Sequence, residues 1–354
     1  MAYPRRAKAI SALGSGSLAY ALGMLTGLGV VAAEGLMIRH RGRGGTQPSS
    51  SANSPAGIPA RDWRAALRRT WTAFNSDHIP MVAGGATFFG LLALFPALGV
   101  FVSLYGLFAD VEQARLHLLH LKGVLPDGAV SVLSEQMSRL AAVPHARLGV
   151  TFIVSLVLSL WSSNAGVKSL IAGLNVAYEE KERRRFLRLN AVSLSFTLGA
   201  VALALAAAAI AAAITRLGLQ GSAVVSALRW PVLLVAIVGV LSVLYRYAPC
   251  RAHARWRWIT PGSAFAALAW LAMSLAFSVY VANFGHYDKT YGSLGAIVGF
   301  MTWMWLSLTV VLLGAELNSE LEQSTSVDTT TGAPQAVGHR GAAVADGPER
   351  GAGS

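Results

Sequence analysis

Residues 148–214 read LGVTFIVSLVLSLWSSNAGVKSLIAGLNVAYEEKERRRFLRLNAVSLSFTLGAVALALAAAAIAAAI, and their alternation of character decides the fold class. An apolar run, 148–170, leads to a short loop with Lys181, Arg183, Arg184, Arg185 and Arg188, and a second run, 189–214, follows. Runs of this length cross a hydrocarbon layer about 30 Å thick at about 1.5 Å per residue. They are continuous, whereas spans of a membrane β-barrel are short and alternate apolar with polar residues. The alanine-rich part, VALALAAAAIAAAI at 201–214, reads as close helix packing.

Further apolar runs lie at 81–108, 231–247, 261–283 and 292–317. The expected fold is therefore all-α, a polytopic transmembrane helical bundle with six core spans. Composition agrees: 54% of the 354 residues are hydrophobic and 13% charged, with mean hydropathy +0.51. Soluble domains carry about 25% charged residues, so this chain cannot clothe a water-facing surface and lipid must take that place. The net charge of +12 sits in loops between apolar runs, the pattern of a membrane protein rather than of a nucleic-acid binder. The one cysteine, Cys250, excludes an intrachain disulfide and a Cys-rich metal site.

The basic loops set an expected orientation. Arg61, Arg64, Arg68 and Arg69 precede the first run; Lys181 to Arg188 follow the second; Arg246, Arg251, Arg255 and Arg257 follow the fourth. The alternate loops are poorer, with Arg216 and Arg229 in one and Lys289 in another. Lys and Arg stay on the cytoplasmic side, so both ends of the core face inward.

Residues 1–43 form a basic and apolar segment in which 10–38 is expected to be an extra membrane helix, with a Gly23–Gly27 G-x-x-x-G pair for packing. Residues 44–60 read as a flexible linker, 61–321 as the membrane domain and 322–354 as a disordered cytoplasmic tail. Residues 61–75 read as an interfacial amphipathic helix with Trp63, Leu67, Trp71 and Phe74 on one side. In the 109–147 loop, Val130, Leu133, Met137 and Leu140 mark another amphipathic helix.

Several stretches together carry a family likeness: GGATFFGLLALFP at 84–96, 161–191 with Asn175 and its basic loop, Tyr245 to Pro249, Trp258 with Pro261-Gly262-Ser263, Tyr280, Tyr291 to Gly295, and Leu313 to Asn318. Over 61–321 the chain resembles the YihY/BrkB family of bacterial inner-membrane proteins. The resemblance implies six transmembrane helices and a cytoplasmic-membrane location. It implies no single activity: members have been named ribonuclease BN or virulence factors, and one relative is linked to moving lipopolysaccharide precursors.

Polar residues inside apolar runs need a reason. Asn164, Lys168 and Asn175 fall on one face of the second run, and Thr302, Thr309 and Glu316 on one face of the sixth. One reading is a polar seam lining a cavity. The other, which we prefer, is a snorkelling lysine, interhelical hydrogen bonds and pairing of Glu316 with an arginine such as Arg246. Asn75, Asp77 and His78 before Pro80 read as a turn into the membrane, and Pro96 as a kink. His286, Tyr287, Asp288, Lys289 and Tyr291 crowd an outer loop.

Nothing marks catalysis. The eight histidines are scattered, and no H-E-x-x-H, Walker A, dinucleotide fingerprint or nucleophile elbow occurs. No catalytic residue, metal site or cofactor is expected. The expected partners are the bilayer and a lipid-like or amphipathic solute; no nucleic acid is expected, and the sequence does not set an oligomeric state. Transport or flipping of such solutes ranks first, driven by a gradient or a partner. A membrane scaffold for envelope assembly ranks second, and a membrane-bound ribonuclease last.

Overall fold

A computed structural model describes residues 50–108, 148–218, 222–284 and 293–346. The expected helices within 10–38 and 109–147, and the loop at 286–291, lie outside these residues.

The described chain is helical. α1 (Ala60–Ser76) is amphipathic, and six long helices follow: α2 (Ile79–Phe108), α3 (Leu148–Ala177), α4 (Phe186–Arg216), α5 (Ala223–Tyr247), α6 (Trp256–Phe284) and α7 (Ser293–Gln323). A final turn is α8 (Ala343–Asp346). Four stretches are long and apolar enough to cross a membrane: Phe186–Ala207, Ala227–Tyr247, Trp256–Val281 and Ile297–Gln323; Ile79–Ala93 is a shorter apolar helix. The helices outrun the apolar windows. α5 and α6 start at Ala223 and Trp256, before Pro231 and Pro261, where the sequence places the span starts. Both prolines lie inside their helices, which bundle neighbours make tolerable in a membrane.

α7 is the hub. It packs against α6, α2, α1 and α3, while α2 and α3 form the most extensive pair. α4 leans on α3, and α5 on α6. Lipid tails are as apolar as leucine, so helix association depends on close packing and internal hydrogen bonds. α6 and α7 cross at Gly262 and Gly314, where a Cβ on Gly262 would collide with the Gly314 carbonyl oxygen. A Cβ on Gly314 would stand 2.6 Å from the Tyr245 hydroxyl and 2.7 Å from Ala266 Cβ. That hydroxyl donates to the Val311 carbonyl at 2.6 Å, tying α5 to α7. The indoles of Trp270 and Trp303 reach Ser307 and Ser274 across the same pair of helices, and Trp305 donates to the Pro80 carbonyl at 2.8 Å.

The outer faces are apolar. Leu198, Leu205 and Ile210 on α4, and Val232, Val235 and Val240 on α5, are exposed, as lipid-facing side chains should be. α1 buries a narrow face of Ala66, Thr70 and Ala73, leaving Leu67 and Trp71 outward in the position expected of interfacial anchors.

One expectation is corrected. Residues 322–346 do not behave as a disordered tail. The segment lies across one end of the bundle, held by backbone bonds from Arg255 N–H to Thr329 O (2.9 Å), Thr331 N–H to His253 O (2.9 Å) and Ala252 N–H to Gly341 O (2.8 Å). Arg340 is buried and donates to the carbonyls of Ser326, Gln335 and Ala345. Composition predicts disorder because the segment has little apolar bulk; it is ordered by polar bonds to the α5–α6 loop together with burial of Val344 in the core. The linker is likewise ordered at its end, with Ser50 N–H on Ser324 O (3.2 Å) and Ser326 N–H on Ser50 O (3.0 Å).

Candidate functional site

Two short loops share the arginine-rich end of the bundle: 178–185 between α3 and α4, and 248–255 between α5 and α6. Asn175 joins them. Its Oδ1 accepts the Cys250 N–H at 2.8 Å and its Nδ2 donates to Glu182 at 3.1 Å. Arg184 pairs with Glu182 at 2.7 Å and donates to the Ala248 carbonyl at 2.8 Å, a second tie between the loops. Burial alone would raise the Glu182 carboxyl, but the bonds from Arg184 and Asn175 outweigh it and hold the group below its usual range. Burial raises the Tyr178 phenol, with the Glu322 charge adding to the effect. Arg251 lies over the Tyr178 ring at 4.9 Å and pairs with Glu322.

Beyond these ties, α4 and α5 part. Each is held by its other neighbour, and a groove of about 1360 Å³ opens between them. Its walls are Val192, Phe196 and Leu203 of α4 facing Ala236, Val240 and Val243 of α5. Gly199 and Gly239 also line it, and a Cβ at either would meet open space. The mouth carries Arg183, Arg184, Arg185, Arg188, Arg251 and His253, and no carboxylate is among its lining residues. Arg184 and Arg251 are already paired, and Arg183 is within electrostatic reach of Glu180. Arg185 and Arg188 are exposed and make no salt bridge among the described residues. Chemically, the site is an apolar trough ending in guanidinium groups.

The seam residues lie elsewhere. Asn164 faces α4, where it bonds with Asn190 (2.7 Å) and Ser193. Lys168 is partly buried with its ammonium 5.3 Å from the Phe186 ring centroid, a cation–π contact at the end of α4. Thr302 and Thr309 return their hydroxyls to the carbonyls of Val298 and Trp305 within α7. Glu316 is fully buried near Tyr178. Arg246, the expected partner of Glu316, is engaged at its own loop, donating to the Ala254 carbonyl and lying over the Trp256 ring at 4.6 Å. The six residues thus split among an α3–α4 contact, a loop tie, α7 itself and the core, and none lines the groove. The groove is not legible in the sequence because its walls are ordinary apolar residues, and that Gly199 and Gly239 line one space is decided by the placement of α4 and α5. Among the described residues no three His, Cys, Asp or Glu cluster so as to hold a metal ion.

Comparisons with known proteins agree on one family. Residues 70–339 match the virulence factor BrkB family. The chain is 29% identical to the ribonuclease-like protein YfkH of Bacillus subtilis (strain 168), over 67% of this chain and 87% of that protein. It is 30% identical to the UPF0761 membrane protein azo3165 of Azoarcus sp. (strain BH72), over 74% of this chain and 64% of that one. A UPF0761 membrane protein of Tolumonas auensis is 26% identical, over 72% and 83%. No solved structure matches. With most of its length matched, and with helices that suit a bilayer, the chain belongs to the virulence factor BrkB family of membrane proteins.

Proposed function

We propose that this protein is a transporter or flippase for lipid-like, amphipathic solutes in the inner membrane. The groove between α4 and α5 supports the reading best: it joins an apolar trough to a cluster of guanidinium groups, the two chemistries an amphipath combines. Leu203 and Val240 of its walls are also exposed, as side chains in contact with lipid would be. The arginine-rich end faces the cytoplasm, in keeping with the retention of Lys and Arg on that side. α2 and α3, each 30 residues long, complete six spans with α4 to α7. The Asn164–Asn190 contact at the α3–α4 seam is a secondary candidate for a moving part.

The test is reconstitution of the full chain in liposomes with a fluorescent phospholipid in both leaflets, quenched from outside. Faster loss of inner-leaflet signal than in protein-free liposomes is expected, with slowing by Gly239→Trp, which fills the trough. Rates equal to protein-free liposomes, for a panel of lipid-like solutes, would remove the transport reading.

A further inference from the structure

Resting on that reading, we propose that the groove is a binding site for an anionic phospholipid, its phosphate held by Arg185 and Arg188 and one acyl chain lying between α4 and α5. Three observations carry this.

The first is charge. The mouth holds five arginines and a histidine, and its lining residues include no carboxylate. Three other arginines at this end of the bundle are each paired with an acid: Arg184 with Glu182, Arg251 with Glu322 and Arg69 with Glu320. Arg185 and Arg188 have no such partner among the described residues and stand at the groove's edge. Guanidinium groups bind phosphate oxygens through paired N–H donors, more selectively than lysine does.

The second is length. From Arg188 to Leu203 the α4 wall rises roughly 22 Å, and from Tyr247 to Ala236 the α5 wall rises roughly 16 Å, at about 1.5 Å per residue. Half of a hydrocarbon core is about 15 Å. The trough therefore matches the chain of a lipid in one leaflet, with its headgroup at the basic end. A small soluble anion would leave the apolar walls unused.

The third is open space. Gly199 and Gly239 face into the trough with nothing near enough to touch an added Cβ, whereas Gly262 and Gly314 in the core admit none. The α4–α5 face thus has room that helix packing does not consume.

The experiment compares full-length wild type, Arg185→Gln/Arg188→Gln and Gly239→Trp in nanodiscs of phosphatidylcholine doped with phosphatidylglycerol. Lipid retained through mild detergent extraction is identified by native mass spectrometry, and thermal unfolding checks that each variant is folded. Wild type is expected to enrich phosphatidylglycerol over phosphatidylcholine by roughly tenfold or more. The double variant loses the enrichment, and Gly239→Trp loses both lipids. Equal retention of the two lipids by wild type would overturn the proposal, as would unchanged enrichment in the folded double variant. A dimer that Gly239→Trp dissociates would assign the face to a second copy and also overturn it. Enrichment without translocation would leave the site standing and remove only the transport reading; translocation without enrichment would do the reverse.

Discussion

Arg251 and Glu322 pair at 2.6 Å with both side chains withdrawn from solvent, and Glu322 also accepts the Thr329 hydroxyl at 2.8 Å. The pair links the α5–α6 loop to the end of α7 and to the ordered tail. Removing one partner leaves the other charged and buried. Arg251→Ala is expected to cost about 3–5 kcal/mol, read as a lowered unfolding temperature of the detergent-purified protein. Arg251→Met with Glu322→Leu should recover part of the loss; a single variant as stable as wild type would deny the pair its role.

The Gly262–Gly314 crossing gives a second expectation. Gly314→Leu must push apart α6 and α7, at a cost of about 1–3 kcal/mol or more. Gly199→Ala and Gly239→Ala meet no neighbour and should leave thermal stability unchanged or slightly raised. The same measurement on all three variants checks the contrast, and equal losses would contradict it.

Asn175 is expected to act in holding the loops rather than in handling solute. Asn175→Ala leaves the Cys250 N–H without its acceptor and Glu182 without one donor. The expected loss is about 1–3 kcal/mol, seen as faster deuterium exchange at 248–251. Lost transport with unchanged stability and exchange would restore Asn175 to a solute path.

The tail carries a pH dependence. Burial would raise the Asp328 carboxyl, but the N–H groups of Gln335 and Thr330, the Thr330 hydroxyl and the Arg340 charge hold it below its ordinary 3.8. A lowered folded-state value means the contribution is full above 3.8 and fades as pH falls through the folded-state value. Asp328→Asn removes it at neutral pH. Deuterium exchange across 328–335 should be faster in that variant than in wild type at pH 7. Equal exchange in both at pH 7 would contradict this.

Much of the fold was legible because apolar length is a physical requirement of a bilayer. Each long helix overlaps a segment read from hydropathy, from 189–214 against Phe186–Arg216 to 292–317 against Ser293–Gln323. The helix ends were less legible, since backbone hydrogen bonding continues where hydropathy stops, as at Asn318 to Gln323. The site was least legible. Asn164 and Asn175 stand on one helix face in sequence, yet they serve different neighbours, Asn190 and Cys250, and only tertiary packing decides that. The tail was misjudged for a related reason: Arg340 and Asp328 order it through backbone carbonyls and N–H groups of the segment itself, and residues 252–255 tie it to the bundle through backbone bonds that composition does not show.

The bonds between Ser50 and the 324–326 segment bear on a matter of parity. Two points in hydrogen-bond contact share one side of any insulating layer. The polypeptide between them must return to where it started, so it traverses that layer an even number of times. An odd count between positions 50 and 326 is ruled out whatever the fate of any individual hydrophobic stretch, and reporters fused at those two positions must give the same sidedness.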